Sequence, residues 1–110
     1  MDFRGHLHLL LLATLARTGP AHGYAIIAAL REHSAGAFDL PEGTVYPVLR
    51  TLETAGLLRS EWDTSTPRRR RVYTLTTAGQ QARVAQRRQW YSFAQAVGSV
   101  VGRHVQAVGA

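Results

Sequence analysis

The chain of 110 residues contains no cysteine and no lysine, and no acidic residue follows Asp63. Without cysteine, neither a disulfide framework nor a thiolate metal site is available, and a cytoplasmic location is expected. The leucine run Leu9–Leu12 is far shorter than the ~20 apolar residues of a membrane span. It continues into a patterned helix, so we predict neither a membrane segment nor a secretory signal.

Charge is distributed unevenly along the chain. Residues 1–63 hold five arginines and seven acids, for a net charge of −2, whereas residues 64–110 hold eight arginines and no acid. The guanidinium group is a planar fork of donors suited to phosphate and guanine, so a polyanion is the leading partner. A GC-rich genome would explain the preference for arginine over lysine, but not the asymmetry.

The segment from Leu40 to Leu57 predicts the central helix. Val45, Val48, Leu49 and Leu52 recur at helical spacing and should form its buried face. Because proline lacks a backbone donor, Pro47 is expected in the first turn, with the helix starting near Gly43 or Thr44. Thr44 is the predicted N-cap, and Gly56 suits a left-handed C-terminal cap.

The opposite side of this helix carries Tyr46, Pro47, Arg50 and small hydroxyl groups. Arginine and hydroxyl side chains hydrogen-bond base edges and phosphates, and a helix start offers free N–H groups to phosphate. We therefore interpret this segment as a DNA-recognition helix.

The flanking patterns predict a winged helix-turn-helix. Two helices, Phe3–Arg17 and His22–His33, precede the central helix, and the strands Leu57–Trp62 and Arg71–Leu75 follow it. Thr76 or Thr77 then caps a last helix from about Ala78 to His104. The expected fold is mainly α with a small β-hairpin: a DNA-binding domain over residues 1–76 and a C-terminal dimerisation helix over residues 77–110.

Four consecutive arginines lie on the predicted wing. Each phosphate that they neutralise would increase the affinity for DNA. A solvated face without a partner is the alternative. His22 and Tyr24, at the start of the second helix, are predicted to contact phosphate or to pack locally. The predicted DNA-binding residues are Thr44, Tyr46, Pro47, Arg50, Arg68, Arg69, Arg70, Arg71, His22 and Tyr24.

Two helices carry more apolar surface than one small core can cover. The first is apolar on most sides, and the last repeats apolar residues in steps of four and three, a heptad-like seam. Covering both faces favours a two-fold homodimer. The predicted interface residues are Phe3, Leu7, Leu10, Leu11, Ala94, Val97, Val101 and His104.

Three aromatic residues on the last helix suggest an effector pocket. Trp90 could simply pack in the dimer seam, or it could line a site bordered by Tyr91 and Phe93. Such walls would suit a small planar aromatic compound or a cation.

No pattern indicates catalysis or metal binding. His6 and His8 are two residues apart and therefore do not share a helical face, and no acids complete a metal shell. Neither a paired-carboxylate, nor a Ser/His/Asp, nor a phosphate-loop arrangement is present. We expect no cofactor, no metal and no enzymatic activity.

Several segments together resemble the PadR family of bacterial transcriptional regulators, in its short subgroup with a single C-terminal helix. The matching segments are RGxL at 4–7, GPxHGY at 19–24, EGTVYPxLRxLExxGL at 42–57, EW at 61–62 and YxLTxxG at 73–79. The resemblance implies a dimeric winged-helix repressor that binds a palindromic operator in double-stranded DNA and responds to aromatic or drug-like compounds. It implies dimers in which the C-terminal helix packs on the partner's first helix. Two departures are His8, where an acidic residue is common, and the heavier arginine run.

The sequence thus predicts a sequence-specific transcriptional regulator, a repressor released by a small aromatic effector. One alternative is a winged-helix module that grips an acidic protein partner with the same surface. Another is a small-molecule carrier that uses the dimer cleft.

Overall fold

A computed structural model describes residues 4–102 of the chain. After a short 3-10 turn, Arg4–His6, the elements are α1 (Leu7–Thr18), β1 (Ala21–His22), α2 (Gly23–His33), α3 (Glu42–Thr54), β2 (Leu58–Asp63), β3 (Arg70–Leu75) and α4 (Thr77–Val101). The predicted fold class, mainly α with a small β-sheet in a winged helix-turn-helix, is confirmed. The predicted first residue of α1, Phe3, lies outside the described residues.

The core is formed where α1, α2 and α3 meet one face of the sheet. Leu11, Leu12, Ile26, Leu49 and Leu52 are fully buried there. Burial of a leucine or isoleucine side chain contributes about 1.5–3 kcal/mol, so these leucines and isoleucine dominate the stability of the domain. Phe38 and Leu40, which follow α2, pack against the same core.

The sheet has three antiparallel strands in the order β1-β3-β2. The hairpin was predicted, and its register pairs Leu58 with Leu75 and Trp62 with Arg71. The two-residue strand β1 was not predicted, since two residues carry no alternation that a sequence pattern can detect. It pairs Ala21 with Tyr73 and thereby joins the start of α2 to the wing.

The start of α3 corrects two predictions. The helix begins at Glu42, and its N-cap is Pro41, whose carbonyl oxygen accepts the N–H groups of Thr44 (3.0 Å) and Val45 (3.1 Å). Thr44 is therefore inside the helix rather than at its cap. Pro47 is the sixth residue of the helix, beyond its first turn. The carbonyl that loses its helical donor belongs to Gly43, which is exposed and can be hydrated, so the helix tolerates the proline.

The end of α3 and the start of α4 are joined at one turn. Gly56 adopts a left-handed conformation (φ 81°), and Leu57 N–H donates to the Leu52 carbonyl at 2.9 Å, which closes the helix as predicted. The Thr76 hydroxyl caps α4 by accepting from Gly79 N–H at 3.0 Å, and it donates to the Gly56 carbonyl at 2.7 Å. The first turn of α4 is thus fastened to the last turn of α3.

The long helix α4 continues from this joint past the core, against which Ala82 packs, and then runs beside α1. Gly79 is its one buried residue among those described. The helix ends at Val101 because Gly102 takes a left-handed conformation (φ 87°), three residues before the predicted end at His104. His104 lies outside the described residues.

Candidate nucleic-acid interface

The exposed side of α3 presents Pro47, Arg50, Thr51 and Thr54, opposite the buried stripe of Val45, Leu49 and Leu52. The Thr51 hydroxyl donates to the Pro47 carbonyl at 3.0 Å. Within residues 4–102, no hydrogen bond or ion pair holds the Arg50 guanidinium. Its five donors are consequently available to a ligand on this face.

Tyr46 is less exposed than its predicted place on the outer face would suggest. It is partly buried against the core, and its phenol ring lies so close to Gly23 that a Cβ at that position would overlap it. Burial, and then the Glu42 carboxylate, raise the pKa of Tyr46. Glycine at position 23 therefore gives the ring its place against α2, with only part of the side chain left at the surface.

His22 and Tyr24 lie at the start of α2, as predicted. His22 is the N-cap, and its Nδ1 accepts from Ala25 N–H at 3.3 Å. Tyr24 is 57% exposed, and its pKa is raised chiefly by a hydrogen bond to the Glu42 carboxylate. The positive charge of Arg68 acts to lower the same pKa. The starts of α2 and α3 and the wing therefore lie close to one another.

The four wing arginines differ in their surroundings. Arg70 Nη1 lies 2.8 Å from His22 Nε2, and Arg71 Nε donates to the Ser60 hydroxyl at 2.8 Å. The guanidinium groups of Arg69 and Arg71 both lie over the Trp62 ring. Arg68 precedes β3 and is exposed. The run predicted as one block thus contains three residues that the fold partly holds, Arg69, Arg70 and Arg71, and one that faces solvent more freely, Arg68.

A polar turn forms the tip of the wing. The Asp63 carboxylate accepts from Ser65 N–H at 2.9 Å and from its hydroxyl at 2.6 Å. These two hydrogen bonds lower the pKa of Asp63 and hold the turn closed.

Charged residues of both the wing and α3 act on the Tyr73 phenol. Burial is the main cause that raises the pKa of this phenol, and Glu53 adds to it, while Arg50 and Arg71 act in the opposite direction. The exposed Arg50 of α3 and the base of the wing therefore lie on neighbouring parts of one surface.

The predicted effector residues lie beside an open groove between α1 and α4. Its volume is about 890 Å³, and Trp90 and Tyr91 line it together with Leu9 and Leu10 of α1. Phe93 instead borders a smaller neighbouring pocket, where the rings of His6 and Trp90 meet edge-on at 5.0 Å. Arg17, Arg83 and Arg87 rim the large groove, a feature that the sequence pattern did not predict.

The predicted dimer residues divide into two groups. Leu7 and Leu11 are buried in the core of a single chain, so the sequence pattern misplaced them on a partner surface. Leu10 and Ala94 are partly exposed, and Val97 (43%) and Val101 (68%) are exposed on α4. Phe3 and His104 lie outside the described residues.

The sequence did not predict the contacts made near the wing by Glu53, Ser60 and Trp62. Ser60 Oγ donates to Glu53 Oε2 at 2.6 Å, and Trp62 supports the two arginines described above. The available signal was the hairpin register, because an arginine directly opposite a tryptophan favours stacking.

Neither a metal cluster nor a membrane helix is found in residues 4–102. No group of three or more His, Asp or Glu side chains there could hold a metal ion. Across the same residues, every helix is too short or too polar to cross a bilayer.

Three packed helices, a hairpin wing beside the third helix and a long terminal helix define a winged helix-turn-helix protein. The model of the transcriptional regulator PadR-like family matches residues 11–92, about three quarters of the chain. The chain therefore belongs to the PadR-like family of transcriptional regulators.

Individual relatives agree with this assignment. The chain is 38% identical over 73 residues to transcriptional regulator Rv3488 of Mycobacterium tuberculosis, and the match covers 66% of this chain and 65% of that protein. A PadR family transcriptional regulator from Eggerthella lenta superposes with a TM-score of 0.78 at 36% identity, covering 89% of this chain and 83% of the other. A PadR family regulator from Clostridium difficile gives a TM-score of 0.74 at 25% identity, covering 88% and 99%.

Proposed function

We propose that this protein is a sequence-specific DNA-binding repressor that acts as a homodimer. The observation that carries the proposal is the exposed Arg50 on α3, next to a wing that bears Arg68 and Arg69. A helix of this kind reads base edges in the major groove, while wing arginines neutralise phosphates alongside. The family membership supports the same role.

A homodimer would place two copies of α3 in successive major grooves about 34 Å apart, on a palindromic operator. The exposed apolar residues of α4, including Phe93, Val97, Val100 and Val101, support this arrangement. They form no core within one chain, and a partner's α1 and α4 would remove them from water.

Arg50→Ala is expected to weaken binding to the operator about 10- to 100-fold and to relax the sequence preference, because a bidentate arginine–base contact contributes about 1–3 kcal/mol. The operator is first located by footprinting the region upstream of the gene. Affinity is then measured by fluorescence anisotropy on that duplex and on a scrambled one.

Arg88→Ala is the matched control, since Arg88 is an exposed arginine on α4 and its loss changes the net charge equally. If Arg50→Ala and Arg88→Ala lowered affinity alike, α3 would not be the reading element. If the wild-type protein bound no DNA at any salt concentration, the protein-interaction module would be favoured instead.

The groove between α1 and α4 supports a small-molecule effector, with Trp90 and Tyr91 as its aromatic walls. The three arginines at its rim favour an aromatic anion over the cation that the aromatic residues alone also allowed. An effector seated against α4 would change the spacing of the two reading heads and so release DNA.

We expect 2-naphthoate to quench Trp90 fluorescence at lower concentration than the cationic 2-naphthylmethylammonium, measured in a Trp62→Phe background that leaves Trp90 as the one tryptophan. Arg83→Gln should remove this preference. Loss of operator binding on adding 2-naphthoate would identify an effector site. Quenching with unchanged operator affinity would identify a carrier.

A further inference from the structure

A continuous chain of contacts runs from the last turn of α3 to the tip of the wing. Glu53 on α3 accepts a hydrogen bond from Ser60 on β2 at 2.6 Å, and Ser60 accepts one from Arg71 Nε on β3 at 2.8 Å. The Arg71 guanidinium lies 4.8 Å from the centre of the Trp62 ring, and that of Arg69 lies 4.6 Å from it. The chain of contacts therefore links the recognition helix to two wing arginines.

The Ser60 hydroxyl is the middle member of this series of hydrogen bonds, between Arg71 and Glu53. A hydroxyl has one proton and two lone pairs, so it can donate to the Glu53 carboxylate while it accepts from the Arg71 guanidinium. Both hydrogen bonds involve a charged group and are therefore stronger than neutral ones. Alanine at position 60 would break both of them, whereas threonine keeps the hydroxyl.

Trp62 has no role in the core. It is 50% exposed and lies opposite Arg71 in the hairpin. A tryptophan ring attracts guanidinium groups to its face, and this explains a large aromatic residue on an otherwise polar wing. The ring holds the guanidinium groups of Arg69 and Arg71 beside it, whereas free arginine side chains would sample many rotamers.

We propose that Glu53, Ser60 and Trp62 are positioning residues that fix the direction of Arg69 and Arg71 relative to α3. None of the three needs to contact DNA itself. Ordering the two arginines before binding lowers the side-chain entropy that is lost when they meet phosphates. It also sets the offset between the wing and the recognition helix. The effect on DNA rests on the proposed function, whereas the ordering of the wing does not.

The first test needs no DNA. In a Trp90→Phe background, Trp62 is the one tryptophan, and its fluorescence reports on the stacked arginines. Ser60→Ala is expected to raise the acrylamide quenching constant of Trp62 by about half, since release of Arg71 uncovers the ring. Ser60→Thr should keep the wild-type constant, and Ser92→Ala, at an exposed position on α4, is the matched control. Equal quenching in the Ser60→Ala and wild-type proteins would overturn the proposal.

The second test measures operator affinity against salt concentration. Ser60→Ala leaves every arginine in place, yet we expect about ten-fold weaker binding at 0.1 M salt. The slope of log K against log[salt] should also become shallower by about one, which is one lost phosphate contact. Trp62→Ala should act in the same way, and Ser60→Thr should restore both values.

The outcomes separate the positioning role from a merely structural one and from the proposed function. A Ser60→Ala protein that unfolds at lower temperature but keeps wild-type affinity and slope while folded would overturn the positioning role. A wild-type protein that binds no DNA would refute the proposed function. It would also refute the role of Glu53, Ser60 and Trp62 in DNA binding. The quenching measurement would still decide whether Glu53, Ser60 and Trp62 order the wing arginines.

Discussion

Gly79→Ala is expected to destabilise the domain by about 3 kcal/mol, the upper end of the cost of overpacking a core. A Cβ at this position would overlap the backbone carbonyl oxygen of Leu57 and press on the Leu75 side chain. The carbonyl cannot easily move away, because it accepts the Thr76 N–H at 3.1 Å within the turn that ends α3. Urea unfolding followed by circular dichroism measures the change.

Gly43→Ala is the matched control for this variant. Gly43 also lies in a helix, but no atom surrounds the place where its Cβ would be. Alanine there should stabilise the protein by about 1 kcal/mol, the difference in helix propensity between the two residues. Opposite signs for the two substitutions would confirm that the Gly79 effect comes from close packing. Equal stabilisation by both would show that α4 and the Leu57 turn are not in contact.

The double substitution Arg68→Gln/Arg69→Gln is expected to weaken binding to all DNA alike, by about 10- to 100-fold at 0.1 M salt. Each neutralised phosphate contributes about 0.9 to the slope of log K against log[salt], so two lost contacts make the slope shallower by about 1.8. The preference for operator over scrambled DNA should persist, since phosphate contacts carry no sequence information directly. Titrations at several salt concentrations on both duplexes measure these quantities.

Arg87→Gln/Arg88→Gln removes the same charge from exposed positions on α4 and should leave the salt slope unchanged. A wing variant whose affinity matched the wild type at every salt concentration would refute the wing as a DNA contact. An equal loss in both double variants would indicate a general effect of net charge.

Helices and hairpin could be predicted because each carries a hydrophobic period long enough to detect. The stripe of Val45, Leu49 and Leu52 located α3, and Gly56 located its end. The start of α3 was misplaced because proline was given more weight than it has in an exposed helix, where water satisfies the carbonyl that it leaves free. The strand β1 is too short to show a period.

The candidate site was predictable in its composition but not in its contacts. The arginine run and the outer face of α3 are visible as patterns in the sequence. That Arg71 bonds to Ser60, or that Tyr46 packs on Gly23, depends on pairs separated by 11 and 23 residues. Such pairs follow from register and helix packing, which the periodicity of one segment does not determine. Leu7 and Leu11 were misplaced for the same reason, because an apolar face does not identify what covers it.

Close packing at Gly79 joins the first turn of α4 to the backbone at Leu57. The 25 residues of α4 leave from the turn that closes α3, and Thr76 holds both sides of that turn. A rotation of about 5° at this joint moves the far end of a helix about 37 Å long by about 3 Å. Conversely, if two chains met along α4, a shift of a few ångströms there would act on α3 through this joint. In a dimer joined along α4, the spacing of the two copies of α3 on DNA would therefore depend on contacts at the far end of that helix.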